Sequence, residues 1–136
     1  MRIIAVDPGL RTGLALAGFP GPAFRSWEAD ASAMDDVEGR LPATSLVVCE
    51  SFIPRPGVRT WQPDALEMIG ALRYICRRDG VPFELQSPAE AKRFSTNARL
   101  KIMGWRNITP GGHADDAARH LLLAAVKRGL IDVNSL

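Results

Sequence analysis

Four consecutive apolar residues, Leu46, Val47, Val48 and Cys49, run from Ser45 to Glu50 without any alternation of polar and apolar positions. A strand of this composition needs cover on both faces, so it belongs in the middle of a sheet with helices on either side. It ends in a carboxylate, Glu50. The opening strand does the same: Arg2 to Val6 runs straight into Asp7, and the chain then turns through Pro8 and Gly9. A carboxylate at the end of a buried strand is expensive unless something pairs with it, and a divalent cation is one of the few good partners. Asp before Pro-Gly is also ordinary turn chemistry, and on that reading Asp7 only caps the turn.

The remaining elements fit around these two strands. Arg2 to Val6, Thr12 to Gly18 and Ala23 to Ala29 read as a three-stranded meander, with Phe19-Pro-Gly-Pro22 as a tight turn. Ser32 with Asp35 three residues later opens a short amphipathic helix that Pro42 closes. After the Ser45 to Glu50 strand, the Pro- and Arg-rich stretch from Ser51 to Pro63 has no periodicity and reads as a long exposed loop. A helix from Asp64 to Arg78, closed by Gly80, carries Leu66, Ile69, Leu72, Ile75 and Cys76 as its apolar face. Pro82 to Gln86 is a further strand. Ser87-Pro88-Ala-Glu90 has the form of a capping box, opening a helix with Lys92 and Arg93, and Thr96 to Trp105 reads as another short helix. The last helix runs from His113 to about Gly129 with an alanine-rich stripe. Antiparallel strands followed by strand, crossover helix and strand predict an α/β fold: a five-stranded mixed sheet, three strands antiparallel plus two parallel, flanked by helices. With 136 residues and no internal linker, the chain 1–136 is expected to form one domain.

Composition narrows the class without choosing a function. At 46% hydrophobic and 24% charged, with no apolar run near the roughly 18 residues of a membrane span, no membrane association is expected. Met1 to Val6 is too short for a signal-peptide core, so a cytoplasmic location is expected, the host cytoplasm if the origin is viral. Cys49 and Cys76 fall in apolar patterns and read as buried free thiols. A net charge of +2 permits nucleic-acid binding without arguing for it.

The chemistry is carried by three separated stretches. A crossover would lay the strands ending in Asp7 and Glu50 side by side, with both acids at one edge of the sheet. Two converging acids repel unless a cation lies between them. On the last helix, His113 and Asp116 stand three residues apart on one face, and Asp115 is turned away. Acids in a first helical turn also simply complement the macrodipole. Together the oxygen and nitrogen donors suit Mg²⁺ or Mn²⁺ better than structural zinc, and two such ions about 4 Å apart suit phosphodiester hydrolysis.

Asp7-Pro-Gly-Leu-Arg-Thr-Gly13, Val47-Val-Cys-Glu50 and His113-Ala-Asp-Asp116-Ala117-Ala118, in that order over nearly the whole chain, resemble the RuvC family of Holliday-junction resolvases. The resemblance implies a ribonuclease H fold. It implies a homodimeric, Mg²⁺-dependent endonuclease that makes paired nicks in branched DNA and uses no small-molecule organic cofactor. The family's acids fall on Asp7, Glu50 and Asp116, and His113 stands where members carry His or Asp. The chain is shorter than bacterial members and is reminiscent of viral ones, and its Pro- and Arg-rich loop has no residue-by-residue counterpart in them.

Arg55, Arg59 and Trp61 follow Glu50 closely, offering guanidiniums for phosphate and a ring for base stacking. Lys92, Arg93, Arg99 and Lys101 form a second basic cluster, in the region where the resemblance places DNA-contacting lysines. Two further readings stay open: a nuclease of the same fold acting on RNA, flaps or forks, and a binding module that has lost catalysis. An actin-like ATP-binding fold is set aside because it needs two domains.

Overall fold

A computed structural model describes residues 1–52, 63–105 and 112–136. The sheet has the order β3-β2-β1-β4-β5, with β1 Arg2–Asp7, β2 Thr12–Gly18, β3 Phe24–Ala29, β4 Leu46–Glu50 and β5 Phe83–Gln86. β2 runs antiparallel to both β1 and β3, whereas β4 lies parallel to β1 and β5 parallel to β4. The mixed sheet inferred from the sequence is therefore the one observed. The apolar run of β4 is central, and Leu46, Val47, Val48 and Cys49 are all fully buried.

Strand periodicity divides the core in two. Ile3, Ala5, Ala15, Ala17, Leu46 and Val48 face helix α5, His113–Lys127, and pack on its Ala117, Ala118, Leu121, Leu122 and Ala125. Ile4, Val6, Leu14, Val47 and Cys49 face the other way. They meet Val37 of α1, Ala33–Arg40, and Ile69, Leu72 and Cys76 of α2, Pro63–Asp79. Helices α3, Pro88–Phe94, and α4, Asn97–Ile102, lead from β5 toward α5.

The alanines on both sides of the α5 contact allow a close approach, and Gly13 sets its limit. A Cβ built there would lie 1.8 Å from the His113 carbonyl oxygen and 2.2 Å from its carbon. Any side chain at position 13 must displace the first turn of α5 or its own strand.

Local signals were less reliable than periodicity. Ser32 has helical backbone angles and its hydroxyl caps nothing; Asp30 instead accepts from the Ser32 N–H through its carboxylate, at 3.2 Å. The Asp30 carboxylate thus closes a turn just ahead of the helix and serves the Ser32 N–H, not a first-turn N–H of α1. The Ser87 hydroxyl likewise makes no cap bond, whereas Thr96 caps α4 by accepting from Arg99 N–H at 3.3 Å. That helix ends at Ile102; Gly104, with φ of +94°, reverses the chain and sends Trp105 into the core. Leu66 is exposed rather than part of the α2 core stripe, because Ala65, one position earlier, occupies the buried angle with Ile69, Leu72 and Cys76. Both cysteines are buried free thiols, and no helix among the described residues is long and apolar enough to cross a membrane.

Candidate active site

In β1, Asp7 follows Ile3 and Ala5 in the two-residue alternation, and in β4, Glu50 follows Leu46 and Val48. Both carboxylates thus leave the sheet on the face covered by α5. The parallel register, with Val6 opposite Cys49, brings them out side by side. Asp7 is only 8% exposed. Burial first, and then the neighbouring charge of Glu50, push its carboxyl up to about 7, against the pull of the His113 hydrogen bond. Burial also opposes ionisation of Glu50, but the hydrogen bond from His120, helped by Asp7 and Lys92, outweighs it and holds Glu50 below the usual carboxylate range. The pair is therefore divided: Asp7 is pushed toward its protonated form and Glu50 toward its ionised form.

Helix α5 presents three polar residues to these acids. His113 Nδ1 lies 2.9 Å from Asp7 Oδ2, and His120 Nε2 lies 3.1 Å from Glu50 Oε2. Asp116, between them on the stripe, faces Lys92 Nζ at 3.8 Å and Arg119 Nε at 3.6 Å. Asp7, Glu50, His113 and Asp116 all line one open cleft of about 510 Å³, closed along one side by Pro8, Gly9, Leu10 and Arg11. The four residues inferred as the site thus share one cleft. As the side chains stand, among the described residues, no three His, Cys, Asp or Glu groups converge on a single point. Asp116 is drawn toward its two cations and His113 toward Asp7.

The donor set nevertheless fits a hard divalent ion. Three carboxylates and one imidazole suit Mg²⁺ or Mn²⁺, and a cation between Asp7 and Glu50 would relieve the repulsion that raises Asp7. Asp115 is buried and does not line the cleft. Of the predicted cations, Lys92 reaches a cleft residue; Arg93 and Lys101 are exposed on α3 and α4 and do not line the cleft. Arg55, Arg59 and Trp61 lie outside the described residues.

Three residues that sequence reasoning passed over complete the arrangement. Glu28 of β3 accepts from Arg11 Nη2 at 3.0 Å and from the His113 backbone N–H at 3.1 Å, tying the turn after Asp7 to the start of α5. The Arg11 hydrogen bond holds its carboxyl below the usual range. His120 is fully buried, yet its spacing was readable: 113, 116 and 120 are the i, i+3 and i+7 positions of one helical face. Asp64, in the first turn of α2, lines the cleft opposite and had been read only as a helix start.

No protein-family model matches the sequence, and a search of curated proteins finds no match. Solved structures do match. The chain is similar to Thermus thermophilus RuvC at a TM-score of 0.60 and 18% identity, covering 96% of this chain and 98% of that one. It is similar to T. thermophilus RuvC in complex with Holliday junction substrate at a TM-score of 0.61 and 19% identity, again covering 96% and 98%. The chain has the RuvC fold. The RuvC-like framework, with its ribonuclease H-like mixed sheet, is what the three motifs of the chain had implied.

The divided carboxyl pair has a consequence for stability. With Asp7 raised from 3.8 to about 7 on folding, the folded state binds this proton more tightly than the unfolded chain. The stabilisation is full below pH 3.8 and is lost as pH rises through 7; the opposite contribution of Glu50 is already complete above 4.5. Metal-free protein is therefore expected to lose stability between pH 4.5 and 7, by at most about 1.4 kcal/mol per pH unit. Urea denaturation across that window checks this: the Asp7→Asn protein should show a shallower dependence, and equal slopes would contradict the assignment.

Proposed function

We propose that the chain is a divalent-metal-dependent endonuclease that cuts branched DNA. The observation that carries this reading is the meeting of Asp7, Glu50, His113 and Asp116, from three distant stretches of sequence, along one open cleft of a RuvC fold. Those four residues would hold Mg²⁺ or Mn²⁺, two ions per site. Bound there, the metal supplies Lewis acidity toward a phosphodiester and a means of lowering the pKa of water.

The chain's own residues shape how a strand is received. Pro8 and Gly9 leave the backbone beside Asp7 low, so that a phosphate can come close. Lys92 stands at the Asp116 side of the cleft, where its ammonium can pass from the carboxylate to a phosphate oxygen. Arg55, Arg59 and Trp61, which follow Glu50 in the chain, are the further candidates for phosphate pairing and base stacking, with Arg93 and Lys101 as more distant phosphate contacts. Paired nicks need two active sites, which a homodimer would supply. Leu66 and Tyr74, exposed on α2 on either side of Gly70, support a face for a second copy.

The test is to compare cleavage of a four-way junction, a fork, a flap and an RNA hairpin, with Mg²⁺ and with the metal chelated. Preferential, metal-dependent cutting of the four-way junction is the expected outcome. Equal cutting of all substrates would remove the resolvase reading, preference for forks, flaps or RNA would change the substrate, and binding without cutting would leave a nucleic-acid-binding module.

A further inference from the structure

His113 is 46% exposed at its side chain and faces the cleft. His120 is the other imidazole on the same helical stripe, and its side chain is 2% exposed. It lies behind Glu50 and not in the cleft. Its two ring nitrogens are both engaged: Nε2 at 3.1 Å from Glu50 Oε2, and Nδ1 at 3.0 Å from the side-chain amide of Gln86. Gln86 is itself buried, at the end of β5 and directly opposite Glu50 in the strand register.

We infer that His120 is a positioning residue for Glu50, held in turn by Gln86, and that this buried row fixes which oxygen of Glu50 is offered to the cleft. The hydrogen-bond inventory gives the direction of the row. With the Gln86 amide oxygen on Nδ1, the amide nitrogen is buried without a partner, and an uncharged ring would turn an Nε2 lone pair toward a carboxylate. Rotating the amide by half a turn gives the buried nitrogen a partner and turns the ring N–H toward Glu50. Gln86 Nε2–H then donates to His120 Nδ1, and His120 Nε2–H donates to Glu50 Oε2. One oxygen of Glu50 is thereby occupied from behind, leaving the other for the cleft. Glu50 lies on a strand, so its backbone is fixed; its side-chain torsions are what this hydrogen bond removes.

The inference rests on the nuclease reading, and the test separates the two. Gln places an amide N–H near where the imidazole has Nε2, whereas Asn reproduces Nδ1 and falls short of Glu50. His120→Gln and His120→Asn are compared with wild type for four-way-junction cleavage and, without DNA, for the Mg²⁺ concentration giving half of the metal-induced rise in Tm. Loss of an outer hydrogen bond to a metal ligand typically costs 10–100-fold. The expected result is His120→Asn lowered in kcat and weakened in Mg²⁺ response by roughly that factor, with KM for the junction within about 3-fold, and His120→Gln restored most of the way. Two variants with equal kcat and equal Mg²⁺ response would overturn the positioning role, whether both matched wild type or both fell. Failure of wild type itself to cut any branched DNA in Mg²⁺ would instead sink the nuclease reading, while the thermal response to Mg²⁺ still reports on His120. Because both variants put an amide in the same buried site, a general folding defect would affect them alike and count against the inference.

Discussion

Asp7→Asn is expected to lower Mg²⁺-dependent cleavage of a four-way junction by about three orders of magnitude or more, equivalent to ~4 kcal/mol of barrier, while junction binding survives. The expectation follows from position. Asp7 is the most buried of the cleft acids and lies between the carboxylate of Glu50 and the imidazole of His113. An amide keeps the shape but supplies neither the charge nor the second anionic oxygen that a divalent ion requires. Binding should be retained because the proposed phosphate contacts are residues other than Asp7, and it should tighten slightly as one negative charge leaves the cleft. Single-turnover cleavage and a junction-binding titration in chelator check the two halves. Cleavage within a few-fold of wild type would remove Asp7 from the site. Equal loss of binding would show instead that the variant had lost its fold.

Gly13→Ala should destabilise strongly, since among the described glycines it is the one where a Cβ would meet backbone atoms most closely. The new Cβ would fall 1.8 Å from the His113 carbonyl oxygen, and its neighbours at 2.2 and 2.9 Å are also backbone atoms. A flexible side chain could swing aside, but two backbones cannot without moving α5 along the sheet. Overpacking of this kind costs about 3 kcal/mol, which for a domain of this size lowers Tm by roughly 10 °C. Thermal denaturation provides the measurement, with Gly18→Ala as the control because a Cβ there meets nothing within 4 Å. The displacement falls on His113, so cleavage should fall further than stability alone explains. Equal Tm values for the two alanine variants would show that α5 does not lie this close to β2.

Much of this molecule was readable before any coordinates because periodicity reports burial. The unbroken apolar run ending at Glu50 required a central strand, and the alternation along Arg2 to Asp7 already implied that Asp7 shares a face with Ile3 and Ala5. The alanine stripe of α5 pointed to a close helix-sheet contact, which Gly13 completes from the other side. Capping residues were read less well. A serine ahead of a helix need not cap it: the Ser32 hydroxyl makes no cap bond, and its own N–H is held by the Asp30 carboxylate.

What the sequence determined by itself was the order of strands and helices, the face each presents, and the presence of acids at the ends of two buried strands. These follow from local chemistry, since residues two apart on a strand or three and four apart on a helix meet whatever the rest of the chain does. The tertiary structure alone decided which groups the acids meet. Glu28 accepts the His113 N–H across 85 residues, and His120 reaches Glu50 across 70. No local pattern encodes such pairs. They exist because the parallel register of β1 and β4 brings two carboxylates to one edge, and a glycine lets one helix lie close enough to hold both.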